Sequence, residues 1–285
     1  MPLLVAPTAF HRMVHPDGEP ATARAAAAAG TIMCLSTLAT SGPAEIAAAA
    51  PHAPRWFQLY VFRDRQVTQS LLAQAVEAGF EAIVLTVDAP RLGRRERDLR
   101  SGFRIPEDVV VPSIAAATGE WAGATPLDAL SRIDPTLSWR DLEQLVVDSP
   151  VPVVVKGIQT AEDASLACEH GASAIVVSNH GGRQLDAVAP TAELLPECVE
   201  AVGGRIEVYV DGGIRRGADV VIALALGARA VLVGRPVLWG LAHGGEVGAT
   251  RVLELLRAEI ELALALCGCP SPDAVTAAHV SGARL

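Results

Sequence analysis

Eight short apolar runs recur along the chain, and most of them are separated by alanine-rich segments with helical spacing. The runs are rich in β-branched residues and mostly lack strict alternation, which is the pattern of parallel strands buried on both faces. They are Leu3–Ala6, Thr31–Ser36, Trp56–Val61, Ala82–Asp88, Val151–Lys156, Ala174–Ser178, Glu207–Asp211 and Ala230–Gly234. Eight strand and helix pairs in 285 residues predict a single-domain α/β fold, the (β/α)8 or TIM barrel, over residues 1–285.

A doubly wound sheet is the alternative arrangement of such units. It would more often carry a glycine-rich, phosphate-binding turn after its first strand. The segment in that place reads APTAFHR, which is not a turn of this kind. The barrel is therefore the favoured prediction.

The segments between the strands carry helix signals. Several amphipathic stretches are followed by a glycine that suits a helix C-terminus; they include Pro20–Ala29, Val67–Ala78, Ala161–His170 and Arg216–Leu226. Residues 104–136 are the exception, because this long stretch has few helix signals. Its length and its place after the fourth strand predict a mobile lid on the catalytic face of the barrel.

Composition excludes several classes of partner. The formal net charge is −9 and no basic stripe exists to neutralise phosphates, so a nucleic-acid partner is not expected. The five cysteines are scattered without a CxxC pair, which fits a reducing compartment and predicts no metal site. We expect no signal peptide and no membrane span. Cytoplasm is the predicted location, although the final Ala-Arg-Leu resembles a peroxisomal signal that would apply in a eukaryote.

Residues 174–186, AIVVSNHGGRQLD, place a histidine and an arginine just after the sixth apolar run. The predicted strand delivers His180 to its C-terminal tip, and the two glycines let the backbone turn so that Arg183 returns toward the same place. A neutral imidazole can take a proton from a substrate whose carboxylate is held by a guanidinium. The segment therefore predicts an enzyme for small anionic acids.

Lys156 is the only lysine of the chain, and it ends the fifth apolar run. An ammonium group is a compact point charge that a planar guanidinium cannot copy. Its place at a predicted strand end, rather than on a surface helix, indicates a functional role. A coding bias that replaces lysine by arginine elsewhere is the alternative explanation.

Polar residues follow the strands at the end where a TIM barrel carries its chemistry. They are Thr8, Ser36, Gln58, Tyr60, Thr86, Asp88, Lys156, Ser178, His180, Asp211, Gly234 and Arg235. After strands seven and eight, VDGGIRRGAD and LVGRP supply glycines and arginines where barrels bind phosphate. A phosphorylated cofactor spanning the mouth is therefore expected. If it is a flavin, Lys156 beside its N1–C2=O edge would stabilise the negative charge of reduction.

Five long motifs carry a family resemblance: WFQLYV, TVDAPRLGRRERD, VVVKGIQTAEDA, SNHGGRQLD and VDGGIRRGADVVIALALGARAVLVGRP. With them the chain resembles the FMN-dependent α-hydroxy acid oxidase and dehydrogenase family from the first strand to the last helix. The resemblance implies a (β/α)8 barrel, bound FMN and oxidation of an (S)-2-hydroxy acid to a 2-oxo acid. It also implies a homo-oligomer, by resemblance a tetramer.

The same resemblance implies a role for each matching residue. His180 corresponds to the catalytic base and Asp88 to its partner, while Arg95, Arg183 and Tyr60 correspond to substrate-binding groups. Lys156 matches the residue at flavin N1. Contacts to the flavin ring or ribityl chain match Pro7, Thr8, Ala9, Ser36, Gln58, Thr86 and Ser178. The ribityl-phosphate site matches Asp211, Gly212, Gly213, Arg215, Gly234 and Arg235.

The chain departs from the family pattern in two places. Family members carry a segment before the first strand that supplies a further substrate-binding tyrosine, and this sequence reaches its first strand directly after Met1 and Pro2. We therefore expect weaker substrate binding. Leu38 stands where glycolate oxidase, a family member, has a tryptophan over a small pocket, so more room for substrate is expected.

Three interpretations of the function remain open from the sequence. The leading one is an FMN-dependent oxidase of 2-hydroxy acids. Ala9 matches the oxidases and weakly favours oxygen over a quinone or another acceptor. Another FMN barrel, such as an isopentenyl-diphosphate isomerase, would share the phosphate site but not the His-Gly-Gly-Arg segment with Arg95. A truncated flavin-binding protein with little activity is the third.

The other histidines receive no catalytic role. His15, in the segment HPDGE, is expected to help shape a helix start. The rest are expected to be surface or helix residues, namely His11, His52, His170, His243 and His279. Tyr209 lies inside the seventh run and is expected to pack.

Overall fold

The computed structural model describes residues 1–106, 108–118 and 126–281, and it confirms the predicted barrel. Its strands are β1 (Leu3–Val5), β2 (Met33–Ser36), β3 (Arg55–Leu59), β4 (Ala82–Thr86), β5 (Val153–Ile158), β6 (Ala174–Val177), β7 (Glu207–Asp211) and β8 (Ala230–Val233). These eight strands of the described chain pair in parallel and in sequence order, and β8 pairs back onto β1. Closure leaves no open sheet edge and brings all the strand C-termini to one mouth.

Helices surround the barrel and bury its outer face. In the described ranges they are α1 (Gly18–Ala28), α2 (Pro43–Ala49), α3 (Arg65–Glu77), α4 (Glu96–Ser101), α5 (Pro112–Thr118), α6 (Pro126–Ser131), α7 (Trp139–Asp148), α8 (Ala161–Glu169), α9 (Thr191–Val202), α10 (Gly217–Ala225) and α11 (Arg235–Leu266). The long α11 is interrupted at Gly244 and Gly245 and packs against α1 and α10. None of the helices in these ranges is long and apolar enough to cross a bilayer.

The inside of the barrel is filled by side chains. A separate buried cluster of inward-facing residues includes Leu4, Val84, Val154, Val176 and Leu232. In the same cluster the rings of Trp56 and Tyr209 meet edge to face, with centroids 5.6 Å apart. The packing expected for Tyr209 is confirmed, and the barrel has space for a ligand at its mouth rather than through its axis.

Two predictions about the course of the chain need correction. The fifth strand does not end at Lys156 but continues to Ile158, with an irregular register across Gly157, whose φ of +114° suits glycine. The lid stretch 104–136, poor in helix signals, contains α5 and α6, two short helices that begin at prolines.

Helices α5 and α6 of this stretch are packed against the rest of the fold. Ile114 of α5 and Ala129 of α6 are buried, and Gln74 of α3 donates to the Ser113 carbonyl of α5 over 3.0 Å. Residue 107 and residues 119–125 of this predicted lid lie outside the described residues, as does the C-terminal Ala-Arg-Leu. The mobility of the lid stays a prediction.

Candidate active site

A cavity of about 390 Å³ opens at the mouth of the barrel, where the strands end. Seventeen of the predicted site residues line it: Pro7, Thr8, Ala9, Ser36, Gln58, Tyr60, Thr86, Arg95, Lys156, His180, Arg183, Asp211, Gly212, Gly213, Arg215, Gly234 and Arg235. The other two, Asp88 and Ser178, lie directly behind this lining, because Asp88 contacts His180 and Ser178 contacts Lys156. The structure therefore brings the whole predicted set together.

His180 and Asp88 form a hydrogen-bonded pair beside the cavity. The Nδ1 of His180 lies 2.8 Å from Oδ1 of Asp88, and the Asp88 side chain is only 5% exposed. A carboxylate partner fixes Nδ1 as the protonated nitrogen, so that Nε2 is left with a free lone pair. The pair can therefore accept a proton at Nε2 and stabilise the imidazolium that results.

The backbone around His180 holds the ring at the end of β6. His180 itself has a φ of +54°, a conformation that non-glycine residues rarely adopt, and Gly181 and Gly182 follow with φ of +64° and +72°. The His180 amide donates to Oγ of Ser178 over 3.1 Å, and Nζ of Lys156 donates to the same oxygen over 2.8 Å. Ser178 thus ties the turn of His180 to the buried lysine.

Gly157 makes room for Asp88. A Cβ at position 157 would lie 2.7 Å from Cβ of Asp88 and 2.8 Å from its Cγ, and the φ of +114° adds strain for any side chain. We expect Gly157→Ala to displace the carboxylate and to lower kcat/KM by about 10²-fold, the usual result of a small misplacement of a catalytic group. Steady-state kinetics check this, with Gly204→Ala as control. Gly204 also has a positive φ, but a Cβ added there would meet no atom within 4 Å, and wild-type kinetics are expected.

Arg95 and Arg183 form a cationic pair on the same side of the cavity. The pKa of Arg95 is lowered, first by burial and then by the charge of Arg183. In the part of the chain that the structure describes, the buried Nε of Arg95 has no hydrogen-bond partner. Two neighbouring guanidiniums with an unused donor form a site for an anion such as a carboxylate.

Tyr60 lies next to this pair, just beyond the end of β3. Burial, followed by the Asp88 carboxylate, raises the pKa of Tyr60 to about 12. Its hydroxyl therefore stays protonated at neutral pH and can donate a hydrogen bond to a bound oxygen atom. The side chain lines the cavity.

Lys156 lies on the floor of the cavity in a buried ion pair. Its Nζ is 3.0 Å from Oδ2 of Asp211, and the lysine side chain is 5% exposed. Burial alone would lower the pKa of Lys156, but the carboxylates of Asp211 and Asp88 outweigh it and raise the pKa. The lysine is therefore a fixed positive charge. Sequence reasoning placed Asp211 in the phosphate site and did not predict that it pairs with Lys156.

Unpaired polar atoms indicate where a polar ligand would bind. Among the described residues, Nε2 of Gln58, Oγ1 of Thr86 and Oδ1 of Asp211 are buried without a hydrogen-bond partner, although each residue lines the cavity. Gln58 is oriented, because its Oε1 accepts from Oγ of Ser36 and from the amide of Thr37. Buried polar groups are normally satisfied, so these atoms fit the polar edge of a cofactor ring.

The opposite end of the cavity is suited to a phosphate. Gly212 and Gly213 follow β7 with φ of +92° and +78°, and Arg235 begins α11. The pKa of Arg215 is lowered by burial and by the charge of Arg235, and its guanidinium lies 5.1 Å from the ring centre of Trp239. Two close arginines, flexible glycine backbone and a helix N-terminus are the groups that bind phosphate.

His11 was expected on the surface or in a helix, and the structure places it in a short helical turn but buries it. It lies in a short 3-10 turn, His11–Met13, and is 1% exposed. Its Nε2 is 2.6 Å from Oγ1 of Thr8, its Nδ1 is 3.1 Å from Oγ1 of Thr22, and burial lowers its pKa. His11 therefore supports the first loop of the cavity. Its position in APTAFHR, directly after a strand tip, is the signal that could have shown this.

The fold and the site together define a (β/α)8-barrel enzyme with a phosphate-binding end and a proton-transfer end. A profile of the FMN-dependent dehydrogenase family matches residues 1–282. The cavity fits that cofactor, since it offers a phosphate site, unpaired ring contacts and one buried cation.

Two relatives and one solved structure align with nearly the whole chain. Glycolate oxidase 1 of Zea mays is 50% identical over 285 residues, which cover 98% of this chain and 77% of that protein. Glycolate oxidase of Spinacia oleracea is 49% identical and covers 99% of this chain and 77% of its own. A solved structure of mandelate oxidase with (S)-2-phenylpropionate has a TM-score of 0.88 at 46% identity, covering 96% of this chain and 76% of the other. The protein belongs to the FMN-dependent dehydrogenase family and is an oxidoreductase with FMN as its cofactor.

Proposed function

We propose that the protein oxidises (S)-2-hydroxy acids to 2-oxo acids and passes the electrons to oxygen, which yields hydrogen peroxide. One observation carries the proposal: the paired guanidiniums of Arg95 and Arg183 share a cavity with the His180–Asp88 pair. A 2-hydroxy acid has a carboxylate that the arginines can bind. The adjacent carbon carries the CH–OH group, which loses its protons when it is oxidised. Similarity to glycolate oxidases and to mandelate oxidase supports the same class of substrate.

Each side chain has a task in this reaction. Arg95 and Arg183 bind the substrate carboxylate, and the hydroxyl of Tyr60 donates to a substrate oxygen. Nε2 of His180 takes up one proton from the substrate, and Asp88 stabilises the charge that this creates. Bound FMN supplies the chemistry that accepts the two electrons and the second proton. Oxygen finally receives two electrons and two protons, so that the 2-oxo acid and hydrogen peroxide balance the reaction.

Lys156 supports the reaction from the floor of the cavity. Its fixed positive charge would stabilise negative charge that develops on a bound cofactor ring, and such pre-organised charge lowers the barrier. Gln58, Thr86 and Ser36 would hold the ring by hydrogen bonds. Arg215 and Arg235, with the backbone of Gly212, Gly213 and Gly234, would hold the phosphate.

The walls near Leu38 suit a substrate with an apolar side chain. Leu38 lines the cavity together with Met13, Phe103, Leu130 and Ile133. A pocket with such walls gains free energy by burying aromatic or branched side chains, at roughly 25 cal/mol per Å². We therefore propose larger 2-hydroxy acids, rather than glycolate, as the preferred substrates.

Replacing Leu38 by the larger tryptophan should reverse this preference. We expect Leu38→Trp to lower kcat/KM for an aromatic 2-hydroxy acid by roughly tenfold or more, while glycolate loses little or improves, because filling a pocket costs about 1–3 kcal/mol for the larger ligand. Leu35→Ile, at a buried position of β2 that does not line the cavity, is the control. An unchanged ratio of the two substrates would show that Leu38 does not contact the substrate.

The experiment that tests the proposed function uses the purified yellow protein. Anaerobic mixing with a panel of 2-hydroxy acids of both hands should bleach the visible flavin absorbance with the S forms only. Readmission of oxygen should restore the colour and release peroxide. Bleaching without peroxide would assign the protein to the dehydrogenases that use another acceptor. No bleaching with any 2-hydroxy acid would overturn the proposal in favour of a flavin-binding protein of another activity.

A further inference from the structure

Two loops carry both arginines and the His180–Asp88 pair, and a side-chain amide joins these loops in addition to the bond between His180 and Asp88. Asp88 and Arg95 lie on the segment after β4, while His180 and Arg183 lie on the segment after β6. Gln184 belongs to the second loop and bonds to the first at three points. Its Oε1 accepts from the Gly93 amide over 3.1 Å, and its Nε2 donates to the carbonyls of Arg91 over 2.8 Å and Asp88 over 3.2 Å.

The backbones of the two loops are also in close contact at this point. A Cβ at Gly93 would lie 2.5 Å from the Gln184 carbonyl oxygen and 2.6 Å from that of Arg183. Only glycine allows this approach without a shift of the loops. Each side of the contact is a close sequence neighbour of one arginine, since Gly93 precedes Arg95 by two residues and Gln184 directly follows Arg183.

The two loops need such a connection because each carries a positively charged arginine, and the two charges tend to separate the loops. The guanidiniums of Arg95 and Arg183 repel each other, and this repulsion contributes to the lowered pKa of Arg95. Arg183 is exposed and Arg95 is only half-buried, so that neither is held in place by dense packing. Without an anion between them, the two loops would be pushed apart unless other bonds resist.

We propose that Gln184 is a positioning residue that holds the two loops at the separation the substrate carboxylate requires. A primary amide offers one acceptor and two donors, and Gln184 uses all three functions across this junction. The hydrogen bonds keep the guanidiniums pre-organised, so that binding the carboxylate does not have to bring them together. The inference rests on the proposed function of Arg95 and Arg183 as carboxylate ligands.

The variant Gln184→Met tests this, because it keeps the length of the side chain and removes the three hydrogen bonds. We expect KM for a 2-hydroxy acid, and the dissociation constant of the unreactive dicarboxylate oxalate, to rise by roughly ten- to a hundredfold. The value of kcat should fall much less, since His180 keeps its own bond to Asp88. Oxalate binding is measured on the holoenzyme by perturbation of the flavin spectrum.

A matched control and a charged variant sharpen the test. Gln74→Met removes an amide bridge of the same kind, from α3 to the Ser113 carbonyl, far from the cavity; KM and oxalate affinity should be those of wild type. Gln184→Glu keeps an oxygen that can accept from the Gly93 amide. Its second oxygen, however, would face the carbonyl oxygens of Arg91 and Asp88, to which a carboxylate cannot donate. It should therefore be as defective as the methionine variant or worse.

Gly93→Ala disturbs the same junction from the other side. The added methyl group should push the loops apart and raise both KM for the 2-hydroxy acid and the dissociation constant of oxalate. Because both changes break one contact, the double variant should show less than the product of the single effects. Full multiplication of the two effects would indicate independent causes and overturn the proposal.

The outcomes separate this inference from the proposed function. If wild type bleaches with no 2-hydroxy acid, the proposed function fails, while the oxalate comparison still reports on the loops. Wild-type KM and oxalate affinity in Gln184→Met, with or without a lower melting temperature, would overturn the role of Gln184. Should the variants not fold, hydrogen exchange on wild type decides: the Gly93 amide must be protected, and free exchange there overturns the proposal.

Discussion

The His180→Ala variant is expected to bind FMN normally and to lose about 10²- to 10⁴-fold in the rate of substrate oxidation, which is the usual contribution of a general base. The loss follows from the geometry of one nitrogen. Nδ1 of His180 is committed to Asp88 at 2.8 Å, so Nε2 is the atom that can accept a proton, and alanine removes it. Anaerobic stopped-flow measurement of flavin bleaching isolates this step from the reaction with oxygen.

The structure offers a matched control for this variant. His170 also pairs through Nδ1 with a carboxylate, Glu143, at 2.8 Å, but it lies on the outer surface against Trp139. His170→Ala should bleach at the wild-type rate. His180→Asn serves as a second variant, because asparagine tolerates the positive φ at this position better than alanine. A wild-type rate in either His180 variant, with FMN bound, would show that another group is the base.

Much of the site could be predicted because a closed barrel maps sequence onto space. Once eight parallel strands are assigned, the residue after each strand must lie at the same mouth. This is why Ser36, Gln58, Thr86 and His180 were expected to meet although they are far apart in sequence, and they do line one cavity. The glycines after β7 and the start of α11 were expected at the phosphate end for the same reason.

Contacts that depend on register and packing could not be predicted in the same way. The bond from Lys156 to Asp211 requires both side chains to turn inward at one level of the barrel, and the pattern of apolar residues does not fix that level. Burial of His11 depends on its fit against Thr8 and Thr22. The role of Gln184 depends on where the loops after β4 and β6 touch, and irregular loops have no repeating pattern from which that contact could be predicted. Helices α5 and α6 are too short to show an apolar repeat.

Replacing Lys156 by methionine should lower the stability of the fold, the affinity for FMN and the rate of oxidation together. The change leaves the Asp211 carboxylate buried without its cation, and breaking one side of a buried ion pair typically costs about 3–5 kcal/mol in free energy of unfolding. It also removes the fixed charge at the floor of the cavity, so FMN should bind more weakly and oxidation should slow. Denaturant unfolding of the FMN-free protein, FMN titration and anaerobic kinetics measure the three effects.

Two further variants separate the structural effect of Lys156 from the electrostatic one. Adding Asp211→Asn to Lys156→Met removes the orphaned charge, so stability should recover while the oxidation rate stays low. Lys156→Arg keeps a positive charge, but its planar, larger head cannot occupy the place of Nζ between Asp211 and Ser178. Full activity in the arginine variant would contradict the need for a compact point charge. If the double variant recovered its oxidation rate as well as its stability, Lys156 would act only through its structural ion pair with Asp211 at the floor of the cavity.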